Sequence, residues 1–143
     1  MSTLSLSSAD AALRGLTDRA ELGDLVTRLG RWLDGGARDE PAGLFVADVR
    51  VSTPGGEATG VEPLVAQARR NHAVPTQHVI ANVLTEVDGD AASLSANLVV
   101  TFVDGPGRGE HHQHGETYAF DAVRTAAGWR LSSITVRPVW HDA

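Results

Sequence analysis

From Leu22 to Leu33 apolar residues recur at helical spacing. Leu22, Leu25, Val26, Leu29, Trp32 and Leu33 fall on one face. Gly35-Gly36 then closes the run, as glycines just past a helix do. Thr17-Asp18-Arg19-Ala20-Glu21 reads as the start of this helix, with Asp18 and Glu21 spaced as a capping box. Ser8 to Leu16 predicts a short helix of its own, after a flexible tail over residues 1–8. A further short helix is expected near Glu40 to Phe45. Another is expected over Val61 to Asn71, where Leu64, Val65 and Ala68 share a face.

After Gln77 the period changes from helical to two. His78–Val87, Ala92–Val103, His112–Thr125 and Gly128–Trp140 read as long strands. Asp88-Gly89-Asp90 is a hairpin signal, Asp104–Gly109 a flexible turn, and Ala126-Ala127 the tip of a second hairpin. One earlier strand, Val46 to Thr53, is stopped by Pro54-Gly55-Gly56. Helices first and a meander of strands afterwards mean an α+β chain. No repeat or low-complexity segment interrupts it, so residues 9–143 form one domain of ordinary size.

Composition narrows the chemistry. The formal charge of −6 argues against nucleic acid and anionic membranes as partners. Met1 to Ser8 has no basic segment and no long apolar stretch, which predicts neither a signal peptide nor a membrane span, and a cytoplasmic location. Cysteine is absent, which removes disulfides, thiolate metal sites and cysteine nucleophiles. Lysine is absent as well; all twelve basic residues are arginines, so Schiff-base chemistry is excluded. Proton transfer is left to histidines, carboxylates and the single tyrosine, Tyr118.

Two of these groups stand at the edge of apolar layers. His78 opens a strand, on the same side as Ile80, Asn82 and Leu84 by alternation. Asp34 ends the first long helix, where the dipole disfavours a carboxylate by about 0.3–1 kcal/mol when exposed. An acid and an imidazole so placed can carry proton transfer in a dry pocket. The plainer alternative is a helix-end aspartate and a hydrogen-bonded strand-end histidine. Asn97, inside an apolar strand, either holds a ligand carbonyl or faces solvent. Trp32, Tyr118, Phe120 and Trp140 read as core or pocket wall. Arg137 could bind an anionic group or pair with an acid on the surface.

His112, His114 and Glu116 alternate, which is metal-ligand spacing. They follow the segment Gly105-Pro106-Gly107-Arg108-Gly109, and ligands need a rigid support, so no metal is expected there. His112 and His114 could still serve as polar walls of a cavity mouth or as a second proton donor. No phosphate loop, nucleophile elbow or dinucleotide fingerprint is present, and no cofactor is expected.

An ordered set of segments carries a family resemblance. It comprises Ala20-Glu21-Leu22 through Arg31-Trp32-Leu33-Asp34, Leu44 to Val49, Gly60-Val61-Glu62-Pro63-Leu64, Gln77-His78-Val79 and Asp88-Gly89-Asp90. It ends with Gly128-Trp129-Arg130-Leu131 and Arg137-Pro138-Val139-Trp140. In this set the chain resembles the SnoaL-like branch of the nuclear transport factor two-like superfamily. The resemblance implies a cone: a curved antiparallel sheet, cystatin-like and barrel-forming, packed against three N-terminal helices around a deep apolar cavity, commonly as a homodimer. Asp34 and the start Thr76-Gln77-His78 are similar to scytalone dehydratase-type sequences. Those carry a tyrosine where this chain has Leu33, and a second histidine near the place of Thr101, Phe102 and Val103.

The implied function is a cofactor-independent acid/base enzyme on a small apolar, polyketide-like molecule, of the kind found in secondary metabolism. Dehydration, isomerisation, cyclisation and epoxide opening are the reaction types. Asp34 and His78 would be catalytic, with Trp32, Asn97, His114, Glu116, Tyr118, Arg137 and Trp140 around the substrate. The alternative is a non-catalytic ligand-binding or protein-interaction module of the same fold.

Overall fold

The computed structural model describes residues 3–105 and 109–142. Its elements are α1 (Thr3–Asp34), β1 (Phe45–Thr53), β2 (Gly56–Thr59), α2 (Val61–Asn71), β3 (Thr76–Asp88), β4 (Ala91–Val103), β5 (His111–Thr125) and β6 (Gly128–His141). The long strands follow the period-two segments closely, whereas the helices differ from expectation. Among the described residues there are two, not three.

From Thr3 on, the expected tail and the separate helix before Thr17 are instead the first half of α1, a continuous helix of 32 residues; residues 1 and 2 of that tail lie outside the described residues. No proline interrupts it. Gly15 and Gly23 meet nothing within 4 Å of a virtual Cβ, so each costs only its propensity, about 1 kcal/mol. Asp18 is therefore no N-cap. Its carboxylate is buried and accepts from Arg124 Nη1 at 2.7 Å, Arg124 Nη2 at 2.9 Å and Trp129 Nε1 at 3.0 Å. The helix expected at Glu40 to Phe45 is a turn, because Pro41 and Gly43, at φ 76°, fall inside it. Leu44 is buried there, and its carbonyl accepts from the Leu131 N–H at 2.8 Å.

The six strands form one curved, open sheet in the order β2-β1-β6-β5-β4-β3. The end strands β2 and β3 do not pair, so no barrel closes. The expectation of an antiparallel sheet holds for every pair except β1 with β6, which is parallel. β1 gives one edge to its hairpin partner β2, and β6 reaches the other edge running the same way.

On β4 alternation is regular: Ala92, Leu94, Ala96, Leu98 and Val100 are buried between exposed or half-buried neighbours. Opposite them Leu22, Leu25, Val26, Leu29 and Leu33 of α1 supply the helical face of the core. On β3 alternation breaks. The register with β4 shifts between Ala81 and Leu84, and Asn82 takes φ 57°, a left-handed conformation that asparagine tolerates. His78 and Ile80 are half-buried before this bulge, Thr85 and Val87 after it. Asn82 and Leu84, expected on the side of His78, are exposed.

Candidate active site

Between α1, α2 and the inner face of the sheet lies a cavity of about 280 Å³. Trp32 and Leu33 line it from α1, Gln67 and Asn71 from α2, and His78, Phe102, His114, Glu116 and Tyr118 from the strands. No arginine lines it among the described residues.

Among the histidines that line the cavity, His78 is deeply placed, with a side chain 3% exposed. One oxygen of Asp34, Oδ1, accepts from its Nδ1 at 2.6 Å and from its backbone N–H at 2.8 Å. β3 is an edge strand, so its free N–H groups need partners outside the sheet, and Asp34 is one. The two donors also satisfy a carboxylate that the end of α1 would otherwise disfavour. A carboxylate only accepts, so Nδ1 carries the proton and Nε2 is the basic nitrogen. Burial lowers the imidazole below its ordinary value, and the bond to Asp34 offsets part of that. Asp34 itself stands behind His78, off the cavity wall.

A second imidazole, His72, stands beside the first, at a centroid separation of 5.2 Å. It follows α2, and its Nδ1 donates to the Ala68 carbonyl at 2.7 Å. Burial lowers its basicity too. The sequence reading missed His72; its signal was a position one turn beyond the apolar face of α2. Rings continue from it toward the mouth: His72 over Phe102 at 6.2 Å, and Phe102 against His112 at 5.0 Å and His114 at 5.5 Å.

His78, Val100 and His114 occupy one row across β3, β4 and β5, and Leu98 with Glu116 the next. An imidazole, that of His114, thus lies one strand beyond the stretch of Thr101, Phe102 and Val103. Burial lowers His114, helped by His112 and His141. Glu116 is half-buried in an apolar wall, which raises its carboxyl. Tyr118 is buried, and burial pushes its phenol well above the usual range, with Glu116 and Asp34 adding to the shift. Trp32 closes one side. Its indole N–H is spent on the Asp39 carbonyl at 2.8 Å, so it offers the cavity an apolar face.

Gln67, also missed, sits in the apolar stripe of α2 and is 4% exposed. Its Nε2 donates to the Gly56 carbonyl at 2.8 Å and to Thr53 Oγ1 at 3.2 Å. Its Oε1 is buried with no partner among the described residues.

Three expected cavity residues lie elsewhere. Asn97 is exposed on the outer face of β4, at the odd parity of Ser93 and Ser95. Arg137 is exposed on β6, opposite Thr117. Trp140 is 44% exposed and lies across Gly115, outside the cavity, because the register shift between Gly115 and Glu116 resets parity there. His112 bonds Asp104 through Nδ1. Among the described residues no three histidines or carboxylates are grouped as metal ligands.

The fold is nuclear transport factor two-like, and it encloses an apolar cavity with the Asp34–His78 pair at its wall. A model of the SnoaL-like domain matches residues 14–135, and the chain belongs to that family. It is similar to a nuclear transport factor two-like protein with a cystatin-like fold from Novosphingobium aromaticivorans, with 27% identity, a TM-score of 0.76, and 94% of this chain and 90% of that one covered. A scytalone dehydratase-like protein from the same organism is similar at 18% identity and TM-score 0.77, covering 90% and 88%. A hexachlorocyclohexane dehydrochlorinase, LinA type 3, from Novosphingobium barchaimii is similar at 20% identity and TM-score 0.77, covering 92% of each chain. No curated protein matches the chain.

Proposed function

We propose that this chain is a cofactor-independent acid/base enzyme of the lyase type, acting on a small apolar molecule. The observation that carries this reading is the Asp34–His78 pair. It gives a neutral, buried imidazole whose Nε2 is unspent, in a residue that lines the cavity. In the proposed step Nε2 takes a proton from a substrate carbon. The C–H electrons form the double bond, and the bond to the leaving oxygen on the next carbon breaks. That oxygen departs with the electron pair and a proton from the Glu116 carboxyl. Asp34 stabilises the imidazolium formed meanwhile. Tyr118 lines the same cavity and would hold a substrate oxygen as negative charge develops. Without a leaving group, returning the proton to another carbon gives isomerisation instead.

The dehydratase-like and dehydrochlorinase relatives favour elimination among the acid/base reactions. The test is turnover of a panel of cyclic β-hydroxy ketones, followed by the absorbance of the conjugated product. His78→Ala should abolish turnover while the chain stays folded. Full activity in that variant removes His78 from the mechanism. Ligand binding without any turnover in the native chain moves the reading to a binding module.

We also propose a homodimer formed through the outer face of the sheet. Val79 at 60%, Leu84 at 72% and Trp140 at 44% exposed form apolar surface that a second copy would cover. Sedimentation at micromolar concentration tests this: a monomer throughout refutes it.

A further inference from the structure

We infer that the substrate of this cavity is an uncharged ring compound that presents a hydrogen-bond donor, a hydroxyl or N–H, to Gln67 Oε1 at the α2 end of the pocket. The inference rests on the acid/base reading only for which end of the ligand reacts. Gln67 is a long polar side chain in the middle of an apolar helix face, and lines the cavity. Its orientation is fixed by chemistry. The Gly56 carbonyl can only accept, so the atom 2.8 Å from it must be the amide nitrogen. The oxygen then points away from both acceptors and is left unpaired. Leaving a buried carbonyl unpaired costs about 1–3 kcal/mol, and such groups are rare in native chains.

Both N–H groups of Nε2 are taken, one by the Gly56 carbonyl and one by Thr53 Oγ1, so the amide is held from behind. A ligand donor would complete its one open position, Oε1. The neighbouring turn is already tied: the Gly55 N–H donates to Thr53 Oγ1 at 3.0 Å, and that hydroxyl donates to the Gly56 carbonyl at 3.2 Å. Asn71 stands at the rim beside Gly55.

Charge selects the rest of the ligand. The described lining has the Glu116 carboxyl and no arginine, so an anion meets no counter-charge. A cation would have to leave water for a lining that is more than half apolar side chains and carries three imidazoles, His72, His78 and His114. The apolar walls and a volume of about 280 Å³ suit one or two fused rings.

Calorimetric titration of the full chain with naphthol, methoxynaphthalene, naphthoate and naphthylmethylammonium tests the inference. Naphthol should bind on the order of 10-fold tighter than methoxynaphthalene, which has the same body and no donor. Gln67→Leu should reduce that preference to less than about 2-fold, with Gln67→Met as the second variant should the first not fold. His78→Ala should keep the preference while losing turnover, which separates this inference from the catalytic one. An undiminished preference in the folded Gln67 variants overturns it. So does equal binding of naphthol and methoxynaphthalene, as when water alone satisfies Oε1. Tightest binding of naphthoate or the ammonium probe, or no binding of any probe, likewise refutes the assignment.

Discussion

A single oxygen of Asp34 fastens both the ring and the main chain of His78, 44 residues further along the sequence. It thereby fixes the tautomer, the ring plane and the start of β3 together. Asp34→Asn keeps the shape and removes the charge that stabilises an imidazolium. Turnover should fall about 10²–10⁴-fold, with substrate binding and the melting curve changed little. A native kcat in the Asp34→Asn variant would separate the pair from the chemistry.

The histidines predict an acid-sensitive molecule. Burial lowers His72, His78 and His114 below 6.5, so the unfolded chain takes up protons that the folded chain refuses. Their contribution to stability is complete above pH 6.5 and is lost as the pH falls below it toward the folded values. Asp18 adds a second, lower window. Its carboxyl is lowered from 3.8 to about 2, chiefly by its bonds to Arg124, so that stability is lost as the pH drops from about 4 to about 2. Melting temperature measured from pH 8 to about pH 2 should decline in two stages. Activity should decline with the first, as His78 becomes protonated.

Removing the Asp18 carboxylate should cost more than an ordinary surface change. It holds Arg124 through two bonds and the Trp129 indole through a third, and the guanidinium lies over that indole at 4.5 Å. Asp18→Ala strands the buried Trp129 N–H and should destabilise the fold by about 1.5–3 kcal/mol in urea titration. Asp18→Asn, which keeps an acceptor for the indole, should lose less.

Gly30 of α1 faces the tip of the Ile80 side chain on β3. A Cβ there would meet Ile80 Cδ1 at 3.0 Å, two residues from His78. Gly30→Val should force the strand outward, cost about 1–3 kcal/mol and loosen the Asp34–His78 bond. Reduced activity with a shifted His78 imidazole resonance is the expected result. A stable variant with native activity would show that the contact is slack.

Asp34 and His78 both break an apolar pattern at its edge, but it was the family resemblance, at Asp34 and Thr76-Gln77-His78, that singled them out over a plain helix end and strand start. The long strands were legible from alternation alone. Asn97 was misread although Leu94, Ala96, Leu98 and Val100 already assign the inward parity, which leaves an odd position outside. Gln67 carried a signal of the opposite kind, a polar residue in step with Leu64 and Ala68. Arg137 and Trp140 lie at or past a register shift, which counting along β6 cannot reveal. The pairing of β1 with β6 joins segments too distant for any local pattern, and the ion pair of Asp18 with Arg124 spans 106 residues.

The extra residue at Asn82 gives β3 two separate jobs. Ahead of it the strand turns His78 and Ile80 inward; beyond it Leu84 turns outward, 72% exposed. Without the bulge, one parity would govern the whole strand. With it the inward positions switch from even to odd numbers, while each residue keeps the face of its partner on β4. Deleting the extra residue would therefore make the alternation continuous and leave both halves facing as they do, with only the local bend of the strand lost.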